Sequence, residues 1–281
     1  MTPALSWPII AAVLFGALLH ASWNALIKSG PDKALDTALI HVLGCGVGAA
    51  MVAVVGVPNR AALPWLAASV VIHIGYYVTL VGAYRHGDLG FAYPLMRGTA
   101  PLLVALLGVL FLRELPSLQV SLGVLFICAG IFAIAFAQRH HHPRAAVYWA
   151  LTNAAIIAVY TLVDGAGARA SGNALSYVVW LTFLEGLLFL AWIRWRRGPA
   201  SVAYIGRQWR RGLLGGFCSV AAYAIVLWAM TRAPVAAVAA LRETSVLFAA
   251  IIGTVLLKEG FGYARLAGAA SVVIGVAALK L

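Results

Sequence analysis

MRGTAPLLVALLGVLFLRE (Met96–Glu114) and LRETSVLFAAIIGTVLLKE (Leu241–Glu259) come into register when the chain is shifted by 145 residues. Arg97 meets Arg242, Thr99 meets Thr244, Gly108 meets Gly253 and Glu114 meets Glu259. The register continues through Gly123 over Gly268 and Gly130 over Gly275. Between Arg97 and Ala133 it gives ten identities in 37 positions, where about three are expected from composition alone. With a one-residue adjustment, Tyr77 falls on Tyr223. The chain is therefore read as a duplication, with a first repeat over 1–137, a basic connection at 138–144 and a second repeat over 145–281.

Composition says what kind of repeat this is. Of 281 residues 63% are apolar and 10% charged, with a mean hydropathy of +0.96. A soluble chain is nearer half apolar and a quarter charged, so an ordinary soluble enzyme is excluded. Apolar runs bounded by charge, Gly or Pro mark ten candidate spans, the sixth near Ala145–Val163 and the eighth near Gly212–Thr231. At about 20 residues per span, ten of them use about 200 residues and leave no room for an extramembrane domain. Five spans per repeat is an odd number, so the second repeat starts on the opposite face of the membrane from the first. The expected fold is all-α and integral to the membrane, with ten transmembrane helices in two inverted five-helix repeats, the architecture of secondary transporters.

The net charge of +12 reads as loop lysines and arginines, not as a nucleic-acid surface. Arg97 and Arg242 aside, five basic residues fall on the face of the N-terminus and thirteen on the other, six of them between Arg194 and Arg211. That count places both termini outside. Cys45, Cys128 and Cys218 sit singly in apolar runs and read as small hydrophobes. In QRHHHPR (Gln138–Arg144) three adjacent His side chains diverge with no carboxylate or Cys beside them, so the stretch is a solvated hinge and no metal or cofactor is expected.

HASWNALIK (His20–Lys28), YRHGDLGFAYPLMRGTAPLLVALLGVLFLRE (Tyr84–Glu114) and ALRETSVLFAAIIGTVLLKE (Ala240–Glu259) resemble the EamA-type ten-helix branch of the drug/metabolite transporter superfamily. The resemblance covers essentially the whole chain. It implies an inner-membrane exporter of amino acids or other small metabolites, with a central cavity between the repeats and cytoplasmic termini. On the termini it disagrees with the charge count. The four-helix multidrug relatives use a first-span Glu for proton coupling, which this first span lacks.

Ionisable residues inside a bilayer cost about 2.5–3.5 kcal/mol each at a helix centre, so Arg97, Glu185, Arg242 and Glu243 are functional candidates. For the arginines the alternative is snorkelling to the interface; for Glu185 it is a hydrogen bond to a neighbouring helix. Arg97 and Glu243 are expected to approach across the repeat axis as a charge pair, because Glu243 points about 100° away from Arg242 around its helix. His20, Trp23 and Asn24 share one helix face, as do His73, Tyr76 and Tyr77, while Tyr93, Trp149 and Asn153 complete the candidate lining of a substrate path. Interface belts account for other aromatics such as Trp7, Trp65 and Trp209. An Arg can hold a carboxylate, a Glu an ammonium, and aromatic faces accept apolar groups and cations. The expected function is export of amino acids, aromatic ones included, by a monomer in the bilayer; efflux of lipophilic or cationic drugs is the alternative. A membrane enzyme is disfavoured: no HExxH or paired-aspartate motif occurs in any span, and the Ser-Gly pairs fall in loops.

Overall fold

The computed structural model describes residues 5–30, 32–87, 89–135, 143–257 and 263–280. These are helical almost throughout: α1 (Trp7–Lys28), α2 (Lys33–Val55), α3 (Leu63–His86), α4 (Leu89–Leu107), α5 (Leu118–Ala135), α6 (Arg144–Ala170), α7 (Ala174–Arg197), α8 (Pro199–Met230), α9 (Val235–Glu243), α10 (Ser245–Leu257) and α11 (Tyr263–Ala278). Eight segments are long and apolar enough to cross a membrane; α9 and the start of α10 count as one of them. Leu118–Ile134 and Leu266–Ala278 are shorter apolar helices and complete the set of ten. The three histidines of the QRHHHPR connection, Lys258 and Glu259 lie outside the described residues.

Two expectations about helix limits are corrected. The sixth helix does not stop at Val163 but runs to Ala170, because the Gly and Ala residues that follow pack instead of ending it. Gly167 faces Tyr177 so closely that a Cβ there would lie 2.5 Å from the ring. The stretch from Arg194 to Arg211 is not a loop. It is helical on both sides of a single turn at Gly198, whose φ of 57° suits glycine. Within α8, Gln208 (φ −108°, ψ 15°) leaves helical geometry and kinks Pro199–Arg207 away from the membrane-spanning part.

The clearest helix contact lies between α5 and α11, and it is carried by the glycines that the repeat places in register. A Cβ on Gly130 would lie 2.6 Å from the Gly268 carbonyl oxygen, and one on Gly268 the same distance from that of Gly130. Gly123 and Gly275 meet in the same reciprocal way, at 2.9 and 2.8 Å. Residue numbers rise along one helix as they fall along the other, so these repeat-equivalent helices are antiparallel. Equivalent and antiparallel helices are related by a two-fold axis across them, which is what inversion of the halves requires. The axis passes near Phe126 and Ser271, themselves 145 apart, where Ser271 Oγ donates to the Phe126 carbonyl at 2.8 Å. In lipid, small residues at such a crossing let backbones approach and gain dispersion contact.

The remaining contacts obey the two-fold only in part. α1 packs on α8 as α3 packs on α6, but α2 lies along α8 through Gly44, Gly212 and Gly216 while α7 touches α3 only slightly. One of two equivalent seams is closed and the other is slack. At the N-terminal end of the bundle, Glu114 joins three elements. It pairs with Arg169 at the end of α6 and accepts from the backbone N–H of Val235 at 3.0 Å, capping α9. Arg169 in turn donates to the carbonyls of Met230 and Ala233.

Candidate functional site

Six helices, α1, α2, α3, α4, α6 and α9, send polar or aromatic groups into one chain of contacts that closes on itself. Trp23 of α1 stands edge-on to His41 of α2, with ring centroids 6.4 Å apart. His41 Nδ1 is 2.8 Å from the Thr37 carbonyl and donates there, so Nε2 is an acceptor and the Tyr77 hydroxyl of α3 donates to it at 2.6 Å. Tyr77 meets Tyr76 at 4.9 Å, and Tyr76 meets Tyr160 of α6 at 5.7 Å. The guanidinium of Arg242 lies 5.9 Å from the Tyr160 ring, and its Nε is 3.2 Å from Glu243 Oε1. Glu243 Oε2 pairs with Arg97 Nε of α4. Arg97 Nη2 reaches His20 Nε2 at 3.4 Å, and His20 returns to Trp23 at 5.0 Å. Tyr93 carries Arg97 over its face at 5.8 Å.

Local sequence explains the ionic part. Arg242 and Glu243 are the last two residues of α9, where the helix gives way at Thr244 to a tight turn closed by Thr244 N–H to the Leu241 carbonyl. Both are buried, at 4% and 0% exposure, and so is Arg97 at 4%, which sets snorkelling aside for both arginines. The expected pairing of Arg97 with Glu243 across the halves is present. Glu243 also engages its own neighbour Arg242, whose long side chain spans the angle between adjacent helical positions. At the equivalent place in α4 stands Gly98, pressed onto α5: a Cβ there would lie 2.9 Å from the Phe132 ring. That position has no room for a carboxylate.

α7 adds a second centre. Glu185 Oε1 lies 3.1 Å from His73 Nδ1, makes no hydrogen bond of its own, and is shielded from the surface. His73 stacks on Tyr160 at 4.4 Å and is within 2.9 Å of the Ser69 carbonyl. Phe189 stacks on His41 at 4.4 Å and meets Tyr77 at 4.5 Å. Trp23 Nε1 is likewise buried without a partner.

Three of the predicted lining residues are placed elsewhere. Asn24 donates to the His20 carbonyl on its own helix at 2.8 Å. Asn153 is fully buried and donates to the Tyr76 carbonyl and Thr79 Oγ1, at 2.9 and 2.8 Å. Trp149 fills the space over Gly82 and lies parallel to His86. Asn153 and Trp149 thus hold α3 against α6.

The structure also brings in residues that the sequence reading passed over. Asp164 of α6 is wholly buried and accepts from two phenols, Tyr177 at 2.9 Å and Tyr223. It was hidden because the sixth span was ended at Val163, the residue before it. The signal was the run of small residues, Gly165 to Ala168, that follows it. His41, a lone ionisable group in an apolar span, was open to the same argument that singled out Glu185. Two grooves open on the surface, one of about 740 Å³ by Arg169, Asn173 and Trp228 and one of about 530 Å³ by Val47 and Phe217; none of the ring residues lines either.

Residues 144–281 match a known family, described as the EamA-like transporter family. No curated protein matches the chain. Among solved structures 28 chains match. One, described only as "Crystal structure of protein", is 21% identical with a TM-score of 0.76, covering 96% of this chain and 94% of that one. It shows that the fold of the whole chain, both halves together, occurs in another protein.

Proposed function

Through residues 144–281 the chain belongs to the EamA-like transporter family and is a multi-pass membrane transporter of the drug/metabolite type; from that premise we propose that it exports amino acids, aromatic ones included, by alternating access. The observation that carries the reading is a pair of buried polar atoms without a hydrogen bond, one in the ring of contacts and one on α7 beside it. Trp23 Nε1, beside the His20–Arg97 contact, is a donor free to meet a carboxylate. Glu185 Oε1 makes no hydrogen bond, faces His73 at 3.1 Å and is an acceptor that can meet an ammonium. The faces of Tyr76, Tyr77, Tyr160 and Phe189 lie between them and suit an apolar or aromatic side chain. A zwitterion with such a side chain satisfies all three requirements. Buried groups that stay unpaired without substrate favour binding of the group that pairs them.

Alternating access is supported by the inverted halves and by the unequal seams. Exchanging the closed α2–α8 seam for its counterpart α3–α7 would present the same ring to the other side. In this reading the protein works as a monomer in a bacterial inner membrane, with no ATPase of its own. The deciding measurement is flux of labelled phenylalanine from liposomes containing the purified protein. Saturable flux that competes with other amino acids is the expected result. No amino-acid flux, alongside robust flux of a lipophilic cation, would instead select the reading that the three carboxylates Glu185, Glu243 and Asp164 favour, cation efflux.

A further inference from the structure

The end of the bundle where α1 gives way to α2 also receives the α7–α8 turn and its six arginines. Two of these are engaged. Arg197 lies 3.5 Å from Asp32, and Arg211 donates to Ser29 Oγ at 2.9 Å and to the Leu26 carbonyl. Arg194, Arg196, Arg207 and Arg210 are exposed and form no ion pair among the described residues. Arg196 covers the indole of Trp195 at 5.1 Å, and Arg210 that of Trp209 at 5.4 Å. Tyr204 ties the kinked segment down by donating to the buried Asp36 at 2.8 Å, so these arginines sit on a fixed platform.

From Trp209 inward, α8 turns Leu213, Leu214 and Phe217 outward, and with Val47 of α2 they line the 530 Å³ groove that has Arg210 at its edge. A cation at the interface, an indole beside it and an apolar trough leading into the bilayer are the parts of a site for an amphiphile with a negative head. A zwitterionic headgroup would bring an ammonium to an end of the bundle where Asp32 already faces Arg197 and Asp36 is buried under Tyr204. A net anionic head brings only the phosphate that arginines bind.

We propose that this groove binds an anionic glycerophospholipid, with its phosphate at Arg207 and Arg210 and an acyl chain along Leu213, Leu214 and Phe217 against Val47. The site straddles the α2–α8 seam, where a Cβ on Gly216 would lie 2.6 Å from Gly44 N. A lipid lying across both helices clamps the seam that is closed here and has no equal between α3 and α7. The proposal does not depend on which solute the protein carries.

The test is native mass spectrometry of the full chain, purified and offered equal amounts of phosphatidylglycerol and phosphatidylcholine. Bound adducts should favour phosphatidylglycerol by about tenfold or more, the effect of two arginines near a phosphate. Arg207→Gln/Arg210→Gln should bring the two lipids to parity. Leu214→Trp, which fills the groove and keeps every charge, should remove one bound phosphatidylglycerol. Where the double variant does not fold, raised ionic strength on the unaltered protein should erase the preference instead. Equal binding of both lipids, a preference that survives loss of both arginines, or full binding by Leu214→Trp would each overturn the site.

Discussion

Arg97 and Arg242 occupy the same position in two copies of one ancestral pattern, yet they stand in unlike helices. α4 carries Pro94 and Pro101 inside it, continues for ten residues beyond Arg97, and widens only at the turn over Gly108–Leu112. α9 ends one residue after Arg242 and restarts as α10. The first repeat therefore presents a guanidinium from a continuous helix with glycine beside it. The second presents a guanidinium and a carboxylate from a break. Duplication supplies two equal helices; one side chain's need for room makes them unequal, and the charge pair that joins the halves exists because of that inequality.

The strongest way to break the comparison is to remove the carboxylate. Glu243→Gln leaves Arg97 and Arg242 buried side by side with no counter-charge, and losing one partner of a buried pair costs about 3–5 kcal/mol. A large fall in thermal midpoint, read by fluorescence-detected size exclusion, is expected. Arg97→Gln/Glu243→Gln leaves only Arg242 without a counter-charge and should recover part of the folding while flux stays lost. Full transport by that double variant would reduce the pair to a tie between halves.

Where the repeats remain alike, damage should be alike. Gly130→Ala and Gly268→Ala each drive a methyl into the other's carbonyl, which backbone cannot yield, so each should cost toward the top of the range of about 1–3 kcal/mol for overpacking. Equal losses support the two-fold; a loss confined to one of them contradicts it. Gly98→Ala meets the flexible edge of Phe132 and should cost less, about 1 kcal/mol. Adding Phe132→Leu should return part of it, and no recovery would mean that something other than Phe132 keeps this position bare. The smallest effect belongs to Glu114→Gln, which weakens a partly exposed ion pair and the cap on α9. About 0.5–1 kcal/mol is expected, shrinking with salt.

The repeat was legible because identities fall on glycines and charges, the residues that a helix crossing and a buried pair most constrain. Glu185 and Arg97 could be found because a bilayer makes any ionisable side chain conspicuous. Asp164 was lost because hydropathy fades along Asp164–Ala170 while helical packing does not: small residues are weak in transfer energy and strong in close approach. Asn153 and Trp149 shared a face with ring-lining residues, yet helical spacing gives direction without saying which neighbour lies that way. The helical course of Arg194–Arg211 was read as loop because charge marks the membrane boundary and says nothing of whether the backbone beyond it stays coiled.

The crossing of α5 and α11 has a further consequence. Its glycines bring backbone against backbone under the side chains of Ile127, Ile134 and Leu279, and each half offers the kind of surface that it receives. A patch that is its own complement can pair two identical copies across a two-fold axis as readily as two halves of a single chain. Cut between the repeats and expressed as two polypeptides, the molecule would still carry at this crossing the information needed to find its other half.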